Sequence, residues 1–285
     1  MGSHYVPQRY LANFRIVEQK RPSIWLFDLA NGNVRPAAIV KVAQEPNYYD
    51  STVEKELARK VEPPGNAVLV KLLRRQPISE KERHDFAVYM AVQLKRVPAH
   101  RLRGRGLGDE AARAALANIS ERFSGAVKMG LVKQADADRA MNHLRAYLPT
   151  VKDELVEAQL RLPWAGERVI DAIERMAWRV YHSSGSSVFL TSDNPFHFER
   201  AIGLAKKESR FFLPLGSYAA IEGSWSGRLG ETFHSAADEA LVRRFNQLTT
   251  LNARRFIFCQ HDEDWVRRFV GRRRERPGGN PSRIP

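Results

Sequence analysis

Thiols are almost absent from this chain. Cys259 is its one cysteine, which excludes an internal disulfide and any thiolate-rich metal cluster. Long hydrophobic runs are missing too: no apolar stretch approaches the roughly 20 residues that a membrane-spanning helix needs. The amino terminus carries no basic patch followed by an apolar core and a small-residue cleavage site. A cytoplasmic protein with no membrane partner is the expectation. Familiar catalytic signatures are lacking as well. Ser192 has no Gly-x-Ser-x-Gly context, and Gly104-Arg105-Gly106-Leu107-Gly108 has neither phosphate-loop spacing nor a following Lys-Ser/Thr. Glu222 is followed by Gly223 and Ser224 rather than by the x-Lys of a restriction-type nuclease. The eight histidines show no paired-ligand spacing, although His182, His197 and His234 could approach Asp193 after folding. There is no internal repeat.

Charge of one sign is abundant. Forty-six Lys and Arg stand against 32 Asp and Glu, a net +14, with a pI near 10.1. Such an excess attracts polyanions, and nucleic acid is the usual one. The sequence leaves DNA and RNA open. The carboxyl-terminal stretch Gly271 to Pro285 concentrates part of the excess, with Arg272, Arg273, Arg274, Arg276 and Arg283 against Glu275. It is composed like a disordered tail. Trp25, Tyr48, Tyr49 and Trp225 are aromatics that would suit base stacking if exposed.

Read in order, Pro7 can begin a short helix carrying Tyr10, Leu11 and Phe14. Ser23–Asp28 and Val34–Val40 flank Asn31-Gly32-Asn33, the pattern of a hairpin, and Pro36 places the second strand at a sheet edge. From Ser51 the period becomes helical. Val53, Leu57 and Val61 mark one helix, stopped by Pro63-Pro64-Gly65, and Ala67 to Leu73 mark the next. Ser79 and Glu82 form a capping box for a longer helix that buries Phe86, Tyr89, Met90, Gln93 and Val97 and ends at Pro98. The glycines at 104, 106 and 108 predict a flexible joint. Residues 109–161 read as helix with a break near Pro149, and Glu167–Tyr181 as another helix. Phe211–Leu215 and Tyr218–Gly223 read as strands, Ala236 to about Leu251 as a helix, Arg255–Cys259 as a last strand, and Asp262–Val270 as a terminal helix. The expectation is an α+β protein. Its mixed sheet comes from the amino-terminal hairpin and the carboxyl-terminal strands, with a large helical insertion at about 51–182, in a single domain over 1–270.

The stretch on which the rest turns is Ser187 to Pro195. An apolar, β-friendly run delivers the chain to Thr191, Ser192, Asp193 and Asn194, and Pro195 forbids a further ladder bond. Polar groups at the end of a strand are held rigidly and exposed by the loop, as ligand-contacting groups commonly are. A plain Asx-Pro turn, with Asp193 and Asn194 bonding their own backbone, fits the same residues.

His4-Tyr5-Val6-Pro7-Gln8, Tyr10-Leu11 and Phe14, then Arg96-Val97-Pro98, Phe189 to Pro195, Pro214-Leu215 and Asn246, resemble blocks of an uncharacterised prokaryotic family, domain of unknown function 4238. The resemblance implies that His4 is native; it implies no reaction. Were the blocks to converge, His4, Asp193 and Asn246 would be the catalytic candidates. Gln8, Asn194 and Arg96 would then contact substrate, with Glu56 or Glu62 nearby and Arg272, Arg273 and Arg274 on the phosphates. A histidine with a carboxylate offers acid–base work or ligation of a divalent ion, Mg or Mn, with Asp193 as ligand. On a basic surface the natural reaction is phosphodiester cleavage, so the leading expectation is a nucleic-acid-directed, metal-dependent nuclease in a bacterial defence or toxin setting. A non-catalytic nucleic-acid-binding module and an enzyme for a small phosphorylated ligand are the alternatives.

Overall fold

The computed structural model describes residues 2–46, 48, 51–161, 167–185, 187–199 and 202–275, with the backbone alone at 105, 107, 108, 149–161 and 273–275. The described chain divides into two compact units, residues 1–98 with 163–285 and residues 99–162. The second unit contains most of two long helices. The first holds the strands, the remaining helices and the cavities lined by Asp193, His4 and Asn246. The elements are strand β1 (Gly2–His4), helix α1 (Gln8–Leu11), strands β2 (Ser23–Asp28), β3 (Val34–Ala38) and β4 (Gln44–Pro46), and helices α2 (Ser51–Glu56), α3 (Glu62–Leu73), α4 (Glu80–Arg96), α5 (Pro98–Lys128), α6 (Gln134–Arg161) and α7 (Glu167–Arg175). Then come β5 (Ala177–Ser183), β6 (Thr191–Ser192), β7 (His197–Phe198), β8 (Arg210–Gly216), β9 (Ala219–Ser224), β10 (Thr232–Ala237), α8 (Glu239–Asn252), β11 (Phe256–Cys259) and α9 (Asp264–Glu275).

This is an α+β fold, and the strands form separate sheets rather than one. The early hairpin joins the late strands in an antiparallel sheet of order β3-β2-β11-β6, with Pro36 on the edge strand β3. The others build a mixed sheet of order β10-β5-β9-β8-β7, whose β5–β10 pair is parallel, and β1 pairs with β4. The five-stranded sheet is covered on both faces. On one, Trp178 of β5 meets Phe86 of α4 edge-on, with centroids 5.9 Å apart. On the other, Phe212 of β8 stacks on Phe245 of α8 at 4.0 Å. The run before Thr191 spans the two cores: Val188 and Leu190 pack with Phe27 and Ile257 of the antiparallel sheet, while Phe189 packs with Phe212 and Phe245.

Several boundaries differ from expectation for identifiable reasons. Pro63 and Pro64 do not stop the helix. A π-helical turn, Leu57–Val61, carries α2 into α3, and the prolines take its first-turn positions, where a missing N–H costs nothing. Gly104–Gly108 lies within α5, and the break between the long helices falls at 129–133, where Gly130 adopts φ +70°, not at Pro149. Helix α7 ends at Arg175, and Ala177–Ser183 is a strand: buried Trp178, Val180 and His182 alternate with more exposed neighbours, a period of two that the helical spacing of Val169, Ile173, Met176 and Val180 (4, 3, 4) masks in the sequence. Asp238 caps α8 by accepting from the Leu241 N–H, so the residues before it extend as β10. Helix α9 continues through Glu275; residues 276–285 lie outside the described chain. Among the described residues no helix is long and apolar enough to cross a membrane.

Candidate functional site

Asp193 is a structural clamp. Its carboxylate is fully buried and accepts backbone N–H groups from Arg254 and Arg255, both at 2.8 Å, and from Phe256 at 3.2 Å. These are long-range bonds that tie the end of β6 to the start of β11, so the local Asx-turn reading does not describe them. Burial pushes the carboxyl up to about 6, against the three amides that favour its charge. Asn194 is clamped likewise: its Nδ2 donates to the Asn252 carbonyl at 2.9 Å, and the Asn252 Nδ2 donates back to the carbonyls of Asn194 and Phe196. Asn246, from α8, accepts the Leu190 N–H through Oδ1 and donates Nδ2 to the Val188 carbonyl, each at 2.8 Å. With the Phe189 N–H donating to the Ser217 carbonyl at 2.8 Å, the segment before Thr191 is held by a side-chain amide and a loop carbonyl rather than by a partner strand. Ser192 accepts the Asn194 N–H.

His4 stands elsewhere. It lines a cavity of about 490 Å³ with Gln8, Arg9, Glu54, Glu62 and Arg96. Strand β1 presents His4, the helix after Pro7 brings Gln8 and Arg9, and the π-helical turn with the start of α3 supplies the floor and Glu62. Such turns recur at functional sites because they re-aim side chains. Arg96, buried at the end of α4, donates to Glu62 Oε1 at 2.8 Å and to the His4 carbonyl, locking β1 to the helices. Glu54 accepts from the Ser3 hydroxyl at 2.9 Å. The Gln8 amide lies 3.4 Å from His4 Nδ1, while His4 Nε2 is enclosed without a hydrogen-bond partner. Burial, then the Arg96 charge, lowers the His4 pKa against the Val40 carbonyl and the carboxylates of Glu54 and Glu62, so the ring is neutral near pH 7.

The expected convergence is therefore partial. His4, Gln8, Arg96 and Glu62 share one cavity. Asp193 borders another, with Arg254, Arg255 and Phe256, and Asn246 borders a third, with Arg243, Arg268 and Arg272. Arg272 is exposed on α9; Arg273 and Arg274 lie on the same helix, with side chains outside the described chain. Glu56 pairs with Lys60 at the surface. Of the histidines weighed beside Asp193, His182 and His234 bond each other at 3.0 Å. Among the proposed stacking aromatics, Tyr48 is buried against Tyr5 at 5.5 Å, Trp225 donates its indole N–H to the Leu204 carbonyl, and Trp25 packs on the antiparallel core. Tyr49 lies outside the described residues.

A divalent ion does not fit Asp193, because both its oxygens already accept backbone amides. Nor, among the described residues, do three His, Cys, Asp or Glu side chains gather closely enough to hold one metal. Glu54 and Arg9 are the residues of the His4 cavity that the sequence reading passed over. Arg9 adjoins the Pro7-Gln8 block, a signal that points toward it; no spacing points to Glu54, which reaches the cavity from α2.

Fold and site together define an α+β protein of two helix-flanked sheets, with acid–base side chains gathered beneath its amino-terminal strand. The chain belongs to the family described as protein of unknown function (DUF4238), matched over residues 3–263. No curated protein and no solved structure matches it.

Proposed function

We propose that this protein is a nucleic-acid-directed phosphodiester hydrolase whose chemistry lies in the His4 cavity, and that its substrate is RNA. One observation carries the reading: the His4 imidazole, its pKa lowered chiefly by burial, shares a cavity with two carboxylates and two guanidinium groups. Lacking a metal-type donor set, such a site favours a substrate that brings its own nucleophile, and the 2′-hydroxyl of RNA is one. His4 Nδ1 takes the 2′-hydroxyl proton, the 2′-oxygen bonds to phosphorus, and the 5′-oxygen leaves with a proton from solvent, giving a 2′,3′-cyclic phosphate. Arg9, which has no ion pair among the described residues, neutralises the charge that grows on the phosphoryl oxygens; Arg96 and Glu62 hold the frame. The net +14 supplies the long-range attraction.

The test is cleavage of labelled single-stranded RNA, tRNA and duplex DNA in EDTA, then with Mg²⁺ or Mn²⁺. Expected are RNA cuts in EDTA with cyclic-phosphate ends, intact DNA, and a loss of roughly 100-fold or more in His4→Ala, the scale of a general base, with an unchanged melting temperature. Cleavage that requires Mg²⁺ or Mn²⁺ would restore the metal-dependent reading, and salt-sensitive binding without cleavage the binding module. Growth arrest on expressing wild type but not His4→Ala would extend the reading to a toxin or defence role.

A further inference from the structure

A second cavity, of about 480 Å³, shares no lining residue with the first. Its size is that of a small-ligand site. Three cations from three separate elements face it: Arg35 on β3, Lys41 after that strand, and Arg254 before β11. None has an ion pair among the described residues. The acids beside them are mostly engaged. Asp28 accepts from the Arg255 guanidinium at 3.2 and 3.4 Å and from the Ala30 N–H at 2.9 Å. Asp193 is saturated by the N–H groups of 254–256. Glu45 is the remaining carboxylate of the lining, leaving an excess of positive charge.

The other walls are of a different kind. Tyr5, Leu26 and half-buried Phe256 are apolar, and the Arg255 guanidinium lies 4.7 Å above the Phe256 ring. Asn31 accepts the Asn33 N–H through Oδ1, which leaves its Nδ2 as a donor for a ligand. Ala43, on the rim, is held at φ +50°, a left-handed conformation costly for alanine and of the kind that clusters at ligand clamps. Its carbonyl accepts from Tyr5 N at 2.9 Å, which binds that rim to the chain beneath.

We infer that this cavity binds a nucleoside phosphate, either free or at the 5′ end of a strand. Arg35, Lys41 and Arg254 take the phosphate, the Phe256 and Tyr5 wall takes the base, and the Asn31 amide reads a polar edge. Asp193 acts here as a positioning residue, because its bonds to the 254–256 backbone set where the Arg254 side chain starts. The inference does not depend on cleavage at His4.

Calorimetric titration of the full chain with AMP, adenosine, inorganic phosphate, and a dinucleotide with and without a 5′-phosphate tests it. AMP is expected to bind, adenosine and the unphosphorylated dinucleotide far more weakly, and affinity is expected to fall with salt. Arg254→Ala and Lys41→Ala should each weaken AMP roughly tenfold, about the worth of one charged hydrogen bond, with unchanged melting temperatures, while Arg9→Ala in the other cavity should leave it alone. AMP binding without dinucleotide binding identifies a free nucleotide as the ligand; binding of both phosphorylated probes admits the strand end. No binding by any phosphorylated probe, equal affinity for AMP and adenosine, or a loss in Arg9→Ala but not in Arg254→Ala would overturn the assignment.

Discussion

At Asp193 a residue chosen for chemistry proves to hold the fold. Its carboxylate is the partner of three consecutive, partly buried backbone N–H groups, and removing it leaves them without that acceptor. Each such orphan costs about 1–3 kcal/mol. Asp193→Ala is therefore expected to destabilise the protein by about 3 kcal/mol or more, read as a lower urea midpoint. Asp193→Asn should be milder but still destabilising, because an amide NH₂ would replace one acceptor. A variant that kept wild-type stability and lost only activity would contradict the clamp and restore a catalytic Asp193. The sequence marked this position because Asp-Asn-Pro after an apolar run is an unusual ending for a strand. It could not distinguish a site from a clamp, since the three donors come from residues 61 to 63 positions later. Asn246 carries the same lesson: its two bonds to the backbone of 188 and 190 come from a helix far along the chain. His4 was legible as a candidate, but its companion Glu54 was not, because proximity across the β1–helix contact leaves no trace in spacing.

Among the elements, those decided by local chemistry were the most legible. The Ser79–Glu82 capping box is present with both of its bonds, Phe86, Tyr89, Met90 and Gln93 are buried on α4, and Val97 is buried just past its end. What hid were elements set by their neighbours. β5 became a strand because two strands flank it and α4 covers Trp178, and α3 continues past two prolines because the π-helical turn absorbs them. Helix α3 sits against α4 through Gly65. A methyl group there would fall 2.3 Å from the Tyr89 ring, which is itself stacked on Phe86 at 5.6 Å. Gly65→Ala should therefore act as overpacking, costing about 1–3 kcal/mol despite alanine's better helix propensity. Because α3 also carries Glu62 and Asn66 to the His4 cavity, the same variant should weaken any activity there while leaving nucleotide binding at Arg254 intact. Stability equal to or above wild type in a urea melt would show that the helices can separate without loss.

The whole molecule responds to pH through groups that no local motif reveals. His182 on β5 and His234 on β10 face α3 and α4 from the same side of the five-stranded sheet and bond each other at 3.0 Å. Burial, then Arg75 and His234, hold the His182 pKa down to about 4, and burial and Arg75 lower that of His234. The unfolded chain protonates these rings near pH 6.5, whereas the native one refuses the proton until lower pH. Stability therefore falls as pH drops from about 6.5 toward about 4, and is regained as pH rises. Asp193 works in the opposite sense: with its pKa raised to about 6, the native chain takes up a proton that the unfolded chain does not, so its contribution grows as pH falls over the same window. A melt of wild type alone would blend the two. Comparison with His182→Asn separates them, because Asp193 is common to both proteins and cancels in the difference. Relative to the variant, wild type should lose melting temperature steadily between about pH 7 and about pH 4, the range over which the histidine pair titrates. A difference that stays constant across that range would mean that the pair carries its proton in the folded state, and that Arg75 does not lie close enough to expel it.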